Sequence, residues 1–306
     1  MSISRKPDWL RSPPPSGREF THIRETLREL DLHTVCEEAS CPNLGECWSG
    51  GAETGGTATF MLMGDRCTRN CSFCDVATGN LEPLDPTEPE KVARAVEAID
   101  LEYVVLTSVD RDDLPDQGAG HIAETISAIK RRRPGVLVEA LVPDFQGESA
   151  LLETVIEAGP DVLAHNVETV ERLQRPVRDP RAGYDQSLSV LEQAAAVLDG
   201  FAKTSIMLGV GERADEVYRT LEDCREAGVD IVTLGQYLRP SREHLPVERF
   251  VHPHTFDTWR AVAEEDLGFA YCASGPMVRS SYRAGEFFVE AVLRDGEDPA
   301  DARDRI

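Results

Sequence analysis

An α/β fold, with helices outside a parallel sheet, is predicted by three observations. Short β-branched, apolar runs recur from residue 58 to residue 237, and longer amphipathic stretches at helical spacing lie between them. Six such β/α units follow one another without interruption, which is the pattern of a parallel sheet with crossover helices. The first strand is followed directly by Cys67-Thr-Arg-Asn-Cys71-Ser-Phe-Cys74, and loops after strand C-termini collect at the functional end of such sheets.

In chain order, Pro13-Pro-Pro15 and Gly17 predict an extended lead-in. Phe20, Ile23, Leu27 and Leu30 then predict a helix over 18–32. Pro42 and Gly45 make the stretch from Cys36 to Cys47 a loop. Strands are predicted at 58–63, 103–107, 136–142, 161–166, 202–208 and 231–237, from their β-branched content. Helices are predicted at 88–98, 121–131, 149–157, 185–198, 214–227 and 254–265. Thr87, followed by acids, is the expected cap of the first of these. An open doubly wound sheet and a partial barrel both fit this count. The charged stretch 294–306 has no apolar face and is expected to be disordered.

With 306 residues the chain can bury a full core, and a single large domain is expected. The net charge is −23, from 55 acidic against 32 basic residues, which argues against binding nucleic acid or an anionic membrane surface. Only four lysines occur, Lys6, Lys91, Lys130 and Lys203. So acidic a surface suits concentrated salt, where screening removes most self-repulsion. The N-terminus has no apolar signal core and no run is long enough to span a membrane, so a cytoplasmic location is expected. In that reducing setting, clustered thiols read as metal ligands and not as disulfides.

Cys67, Cys71 and Cys74 supply three thiolates without a neighbouring histidine. Structural zinc wants four ligands, whereas a 4Fe-4S cube held at three corners keeps one iron open for a ligand that comes and goes. Phe73 either joins the core or packs beside that ligand. Cys36, Cys41 and Cys47 form a second group of three, readable as an irregular zinc loop, as half of a joint site, or as a second incomplete cluster. Near the C-terminus, Arg279-Ser280-Ser281-Tyr282 is either a plain turn or the source of a further ligand. Asn166 and Glu168 end a strand at the loop face, where a cofactor contact and a turn role are both open. Arg178 faces a carboxylate, a phosphate or solvent. Asp110-Arg-Asp-Asp113 is a solvated turn or part of the site. Gly209-Val-Gly211-Glu212 is a close-approach turn but a weak dinucleotide motif. Cys224 and Cys272 are expected to pack in the core.

Taken together, Cys36-x4-Cys41-x5-Cys47, Cys67-x3-Cys71-x2-Cys74 and Arg279-Ser-Ser-Tyr282 resemble the signature of the lipoyl synthase family, within the radical S-adenosylmethionine superfamily. Glu38-Ala-Ser-Cys-Pro-Asn43, Gly56-Thr-Ala-Thr-Phe60, Leu141-Val-Pro-Asp144, His165-Asn-Val-Glu168 and Gly235-Gln-Tyr-Leu-Arg-Pro240 extend the likeness, while Arg283 stands where many relatives carry histidine. The resemblance implies a partial (β/α)6 barrel at 55–275, an N-terminal extension at 1–54 that carries auxiliary-cluster ligands, and a C-terminal segment at 276–306. It implies two 4Fe-4S clusters and S-adenosylmethionine as cofactors. The Cys67/Cys71/Cys74 cluster would cleave S-adenosylmethionine. The Cys36/Cys41/Cys47 cluster, with Ser281 or alternatively Ser280 as its fourth ligand and Arg279 holding that serine, would give sulfur to carbons 6 and 8 of an octanoyl chain. Phe73, Asn166, Glu168 and Arg178 would contact the cofactor. The implied partners are an octanoylated lipoyl carrier domain or glycine-cleavage H protein, and an electron donor such as ferredoxin or flavodoxin. The alternatives are another sulfur-inserting radical enzyme with an auxiliary cluster, against which the first cysteine spacing speaks, and a non-catalytic electron-transfer protein, which would leave six β/α units unexplained.

Overall fold

The structure is a computed structural model and describes residues 6–12, 16–49, 58–281 and 284–305. The predicted lead-in at Pro13–Pro15, Gly56 and Thr57 of the Gly56-to-Phe60 motif, the boundary at 54/55, Tyr282, Arg283 and the terminal Ile306 lie outside the described residues.

The N-terminal part holds helix α1 (Arg18–Glu29), the short strand β1 (His33–Thr34) and two short helices, α2 (Val35–Glu38) and α3 (Leu44–Ser49). Strand β2 (Thr59–Leu62) opens the repeating part, and the short ladder β3 (Arg66–Cys67) with β4 (Ala77–Thr78) closes the base of the cysteine loop. Helix α4 (Glu88–Ile99) completes the first unit. The following pairs are β5 (Tyr103–Ser108) with α5 (Ala119–Arg132), and β6 (Leu137–Leu141) with α6 (Ser149–Glu157). Strand β7 (Val162–Ala164) leads through the short α7 (Gln174–Val177) to α8 (Tyr184–Val197). Then come β8 (Phe201–Leu208) with α9 (Ala214–Glu226), β9 (Ile231–Gln236) with α10 (Pro253–Ala261), and β10 (Tyr271–Gly275) with α11 (Ala284–Leu293) and α12 (Pro299–Arg305).

All six expected strands form, and the sheet order is β1-β2-β5-β6-β7-β8-β9-β10. Every pairing in it is parallel except that of β1 with β2. Two strands of this sheet escape the sequence reading, as do β3 and β4 of the short ladder. Strand β10, Tyr-Cys-Ala-Ser-Gly, is built mostly of small residues, and β1 has only two residues. The tail also departs from expectation: α12 forms, Ala302 is fully buried, Asp298 accepts from the Ala300 N–H, and Arg305 pairs with Glu297. One buried alanine and two end contacts hold a helix that has no apolar face of its own. Thr87 precedes α4 as expected, but its hydroxyl donates to Asp85 at 2.7 Å and does not cap the helix.

Alternation along the strands sets two faces. Val104 and Leu106 of β5 and Val138 and Ala140 of β6 turn toward the helices, in one core cluster with Val92, Ile126 and Leu152. The opposite face is layered. At the bottom Phe288 of α11 stacks on Tyr271 at 5.0 Å and packs with Val105, Val162 and Ile231. Above that floor, Glu139, Lys203 and Tyr103 form a buried polar layer. Higher still, Thr59, Thr107, Leu141, Ser205 and Gly235 of successive strands line one cavity. A sheet whose strands β2, β5, β6, β8 and β9 reach a single cavity, with His165 and Asn166 entering it just past β7, is curved round it, which is a partial barrel open at the strand C-termini.

Candidate active site

The cavity at the open end has a volume of about 520 Å³ and is lined by all six clustered cysteines. Phe73, Asn166, Glu168, Arg178, Arg279, Ser280 and Ser281 line it as well, so the structure brings together every residue singled out for the site. Cys224 and Cys272 are buried elsewhere in the core, as expected.

The Cys67–Cys74 loop is bolted in place by charge. Arg69, nearly fully buried, donates to both oxygens of Asp144 at 2.8 and 2.7 Å. It also reaches Asp112, its Nη2 donating to Oδ1 at 2.8 Å and its Nε to Oδ2 at 3.0 Å. Thr68 bonds Asp112 at 2.6 Å, and the Asn70 N–H donates to Asp179 at 2.9 Å. Asp110 and Asp112 come from the loop after β5, Asp144 from that after β6, and Asp179 from the end of α7. Asp110 lines the cavity and Asp112 bonds Arg69 and Thr68, whereas Asp113 pairs with Arg111. Burial pushes the Asp144 carboxyl up, but the Arg69 bonds outweigh it and leave it lowered to about 2. Neither Arg69 nor Asp179 carries a site signal in the sequence, and Asp144 stands out only within the motif Leu141-Val-Pro-Asp144.

Three backbone N–H groups are aimed at sulfur. Those of Arg69 and Asp110 approach Cys67 Sγ at 3.4 and 3.3 Å, and that of Asp179 approaches Cys71 Sγ at 3.3 Å. Burial pushes the thiols of Cys67 and Cys71 up to about 12 and that of Cys74 to about 11. Without a cation these sulfurs hold their protons; a bound metal releases them. Among the described residues, no three His, Cys, Asp or Glu side chains close round one point as they would for a single metal ion. Three cysteines facing an open cavity, two of them with N–H donors on their sulfurs, are a donor set that fits an iron-sulfur cluster.

The second group is assembled from both ends of the chain. Pairing of β1 with β2 sets Thr34 opposite Phe60 and brings Cys36, in the first turn of α2, beside Thr59. Burial pushes the Cys36 thiol up to about 12, and contact with Thr59 offsets part of this. Cys41 and Cys47 follow on turns whose N–H groups bond the Cys36 and Asn43 carbonyls at 3.1 and 2.9 Å. From the other end, Thr59 Oγ1 donates to Ser281 Oγ at 3.1 Å, and Asn43 donates to the Met277 carbonyl. The close approach requires a glycine in β9, since a Cβ on Gly235 would lie 2.1 Å from the Val278 carbonyl. Arg279 donates to that same carbonyl at 2.6 Å, while its buried Nη2 has no partner among the described residues. Burial lowers the Arg279 pKa, and the neighbouring Cys41 and Cys47 work against this.

On the opposite wall, Asn166 donates to Glu168 at 3.0 Å. Glu168 has a left-handed backbone with φ of 68° and joins β8 as an isolated bridge to Ile206. Burial raises its pKa and Arg178 partly restores it. Arg178 is buried and not solvent-facing; its Nη1 donates to Ser187 at 2.8 Å and to Gln174 at 3.0 Å. Ser187 in turn bonds His165 Nε2 at 2.9 Å, and His165 Nδ1 bonds the Val142 carbonyl at 2.9 Å. Phe73 lies at the boundary between core and cavity. The Gly209–Gly211 turn takes no phosphate, because the carboxylate of Glu212 already accepts its three N–H groups at 2.9, 2.9 and 3.0 Å.

A curved parallel sheet with a Cys-x-x-x-Cys-x-x-Cys loop on its open rim defines a radical S-adenosylmethionine enzyme, and residues 61–224 match the Radical SAM superfamily. The fold is shared with the FeFe-hydrogenase maturase HydG at a TM-score of 0.56 and 13% identity, over 69% of this chain and 50% of that one. It is shared with methylornithine synthase PylB at 0.50 and 20%, over 63% and 56%. Residues 1–41 match the N-terminal domain of lipoyl synthase. Lipoyl synthase of Halobacterium salinarum is 68% identical over 303 residues, covering 99% of this chain and 97% of that protein. That of Natronomonas pharaonis is 69% identical over 302 residues, with 99% and 97% covered. The mitochondrial enzyme of Vitis vinifera is 55% identical over 291 residues, with 94% and 74% covered. The chain belongs to the lipoyl synthase family. Among the described residues no helix is long and apolar enough to cross a membrane.

Proposed function

We propose that this chain converts an octanoyl group, held as an amide on a carrier lysine, into a lipoyl group by placing sulfur at carbons 6 and 8. The observation that carries this reading is the convergence of two three-cysteine groups and Ser281 on one cavity. Cys67, Cys71 and Cys74 would hold the cluster that delivers an electron to S-adenosylmethionine, and Cys36, Cys41, Cys47 and Ser281 the cluster that gives up sulfur.

The chain's own residues have separate tasks. Arg69 and its carboxylates fix the first cysteine loop against β5 and β6. Asn166 and Glu168 offer an amide and a carboxylate for the polar part of S-adenosylmethionine, with Phe73 beside them and the Arg178 charge behind. Thr59 aims the Ser281 oxygen at the second cysteine group; that oxygen is a harder and more easily released ligand than a thiolate. Ser281 is preferred to Ser280 because its hydroxyl is the one bonded to Thr59. The carrier is a lipoyl domain or the glycine-cleavage H protein, the reductant is a ferredoxin or flavodoxin, and the setting is the cytoplasm.

Two measurements test this. Anaerobically reconstituted protein should contain about eight irons per chain, two cubes. Reduced enzyme given S-adenosylmethionine and an octanoyl-lysyl peptide should yield 5'-deoxyadenosine together with the lipoyl peptide. Deoxyadenosine without sulfur insertion would move the assignment to another member of the superfamily.

A further inference from the structure

Resting on that reading, we propose that Lys6, Arg239 and Arg242 form a docking ledge for acidic side chains flanking the acylated lysine of the carrier. In a chain of net charge −23 most cations near the site are already paired: Arg69 with Asp144 and Asp112, Arg111 with Asp113, and Arg181 with Asp179. Lys6, Arg239 and Arg242 have no carboxylate partner among the described residues. Arg239 lines the cavity in the loop after β9, and its Nη2 donates to the carbonyl of the exposed Arg242. Its Nε is buried and has no partner among the described residues. Lys6, which is exposed, lines the cavity too and stands close enough to Arg279 for the two charges to oppose each other. Like charges gathered at one rim cost energy until an anion arrives.

Position indicates which anion. The cofactor residues Asn166 and Glu168 follow β7, whereas these cations lie toward β9 and the Cys41/Cys47 side, where Arg279 is placed. A lysine presented through this mouth, so that its acyl chain lies between the two cysteine groups, brings its sequence neighbours against the rim. Carboxylates there meet unpaired cations instead of the acidic surface, which gives an acidic carrier one place to dock and a preferred orientation. Arg279 sits deeper and belongs to the auxiliary site.

The test uses octanoyl-lysyl peptides flanked by acidic, neutral or basic residues, with the reconstituted full chain at the lowest salt that keeps it folded by circular dichroism. Wild type should show the lowest KM for the acidic peptide, by about tenfold over the basic one, with the gap closing as salt rises. Arg239→Glu with Arg242→Glu should invert the order, so that the basic peptide is preferred. If the double variant does not fold, Arg242→Glu alone, at an exposed position, carries the same comparison. Equal KM values for all three peptides in wild type, or an unaltered order in the variant, would overturn the proposal. So would a rise in KM for S-adenosylmethionine in place of the peptide. Absence of lipoyl product from every peptide would instead overturn the functional reading beneath it.

Discussion

Thr59 Oγ1 donates a 3.1 Å hydrogen bond to Ser281 Oγ, joining the first barrel strand to a residue 222 positions later in the chain. Thr59 also lies against Cys36. One threonine therefore sets the distance between a thiol of the auxiliary group and the serine assigned to complete it. Ser281→Ala should cut lipoyl product by more than about tenfold, while 5'-deoxyadenosine release changes far less. Ser280→Ala should have the smaller effect of the two. Thr59→Val keeps shape and burial but loses the bond, and should lower sulfur insertion by about tenfold. Product and deoxyadenosine quantified in the same anaerobic reaction separate these outcomes; equal loss of both in Ser281→Ala would remove the serine from the auxiliary site.

Arg69 makes a second prediction. With it removed, the buried Asp144 would lose its guanidinium partner, while Asp112 would keep only Arg181 at 3.2 Å. Arg69→Met should destabilise the protein by about 3–5 kcal/mol, the cost of an uncompensated buried charge. Arg69→Lys keeps the charge but not the bidentate geometry. That variant should fold and yet lose iron from the Cys67 group, reading about four irons per chain instead of about eight. Denaturant unfolding and iron analysis check the two halves; full iron content in Arg69→Lys would show that the loop does not need this clamp.

These two sites also show where sequence reading ends. The cysteine groups were legible because ligand spacing is local, and the six strands because β-branched runs announce themselves within a few residues. The serines of Arg279-Ser-Ser-Tyr282 read equally as a plain turn or a ligand source, and only the resemblance ties Ser281 to the auxiliary group. The partners of Arg69 lie 43 and 75 residues away and become neighbours only after two β/α units have folded. Gly235 belongs to the motif Gly235-Gln-Tyr-Leu-Arg-Pro240, but its task depends on Val278 arriving from beyond β10. The charges at Glu139 and Lys203 gave no warning either, since on a curved sheet an inward position can be as polar as an outward one.

His165 should make stability depend on pH. Burial, together with the Arg178 charge, lowers its pKa to about 4 from the usual 6.5, and in the native state its ring is neutral between Ser187 and the Val142 carbonyl. The unfolded chain takes up a proton below about 6.5, but the folded one waits until about 4. Stability is therefore fully present above 6.5 and falls as pH drops from 6.5 to 4, by up to about 1.4 kcal/mol per pH unit and about 3 kcal/mol in all. His165→Gln should cost about 1–3 kcal/mol at pH 7 through the lost bonds and flatten this slope. Unfolding free energies between pH 4.5 and 7.5 test it; an identical slope in the variant would place the dependence elsewhere.

The polar layer beneath the cavity gives the last prediction. Lys203 Nζ bonds both oxygens of Glu139 at 2.7 Å, and the Tyr103 hydroxyl donates to one of them at 2.6 Å. The Lys203 and Glu139 side chains are 3% and 2% exposed, so water can replace neither partner. Burial and the adjacent carboxylate push the Tyr103 pKa well up, which keeps its hydroxyl a donor. A buried pair of this kind is costly to break and cheap to remove whole. Lys203→Met should lose about 3–5 kcal/mol, whereas Lys203→Met with Glu139→Gln should recover much of that loss. Tyr103→Phe should cost only about 1–3 kcal/mol. A double-mutant cycle by chemical denaturation at fixed high salt measures the coupling. If the single lysine variant proved no less stable than the double, the pair would be contributing nothing to the floor on which the cavity rests.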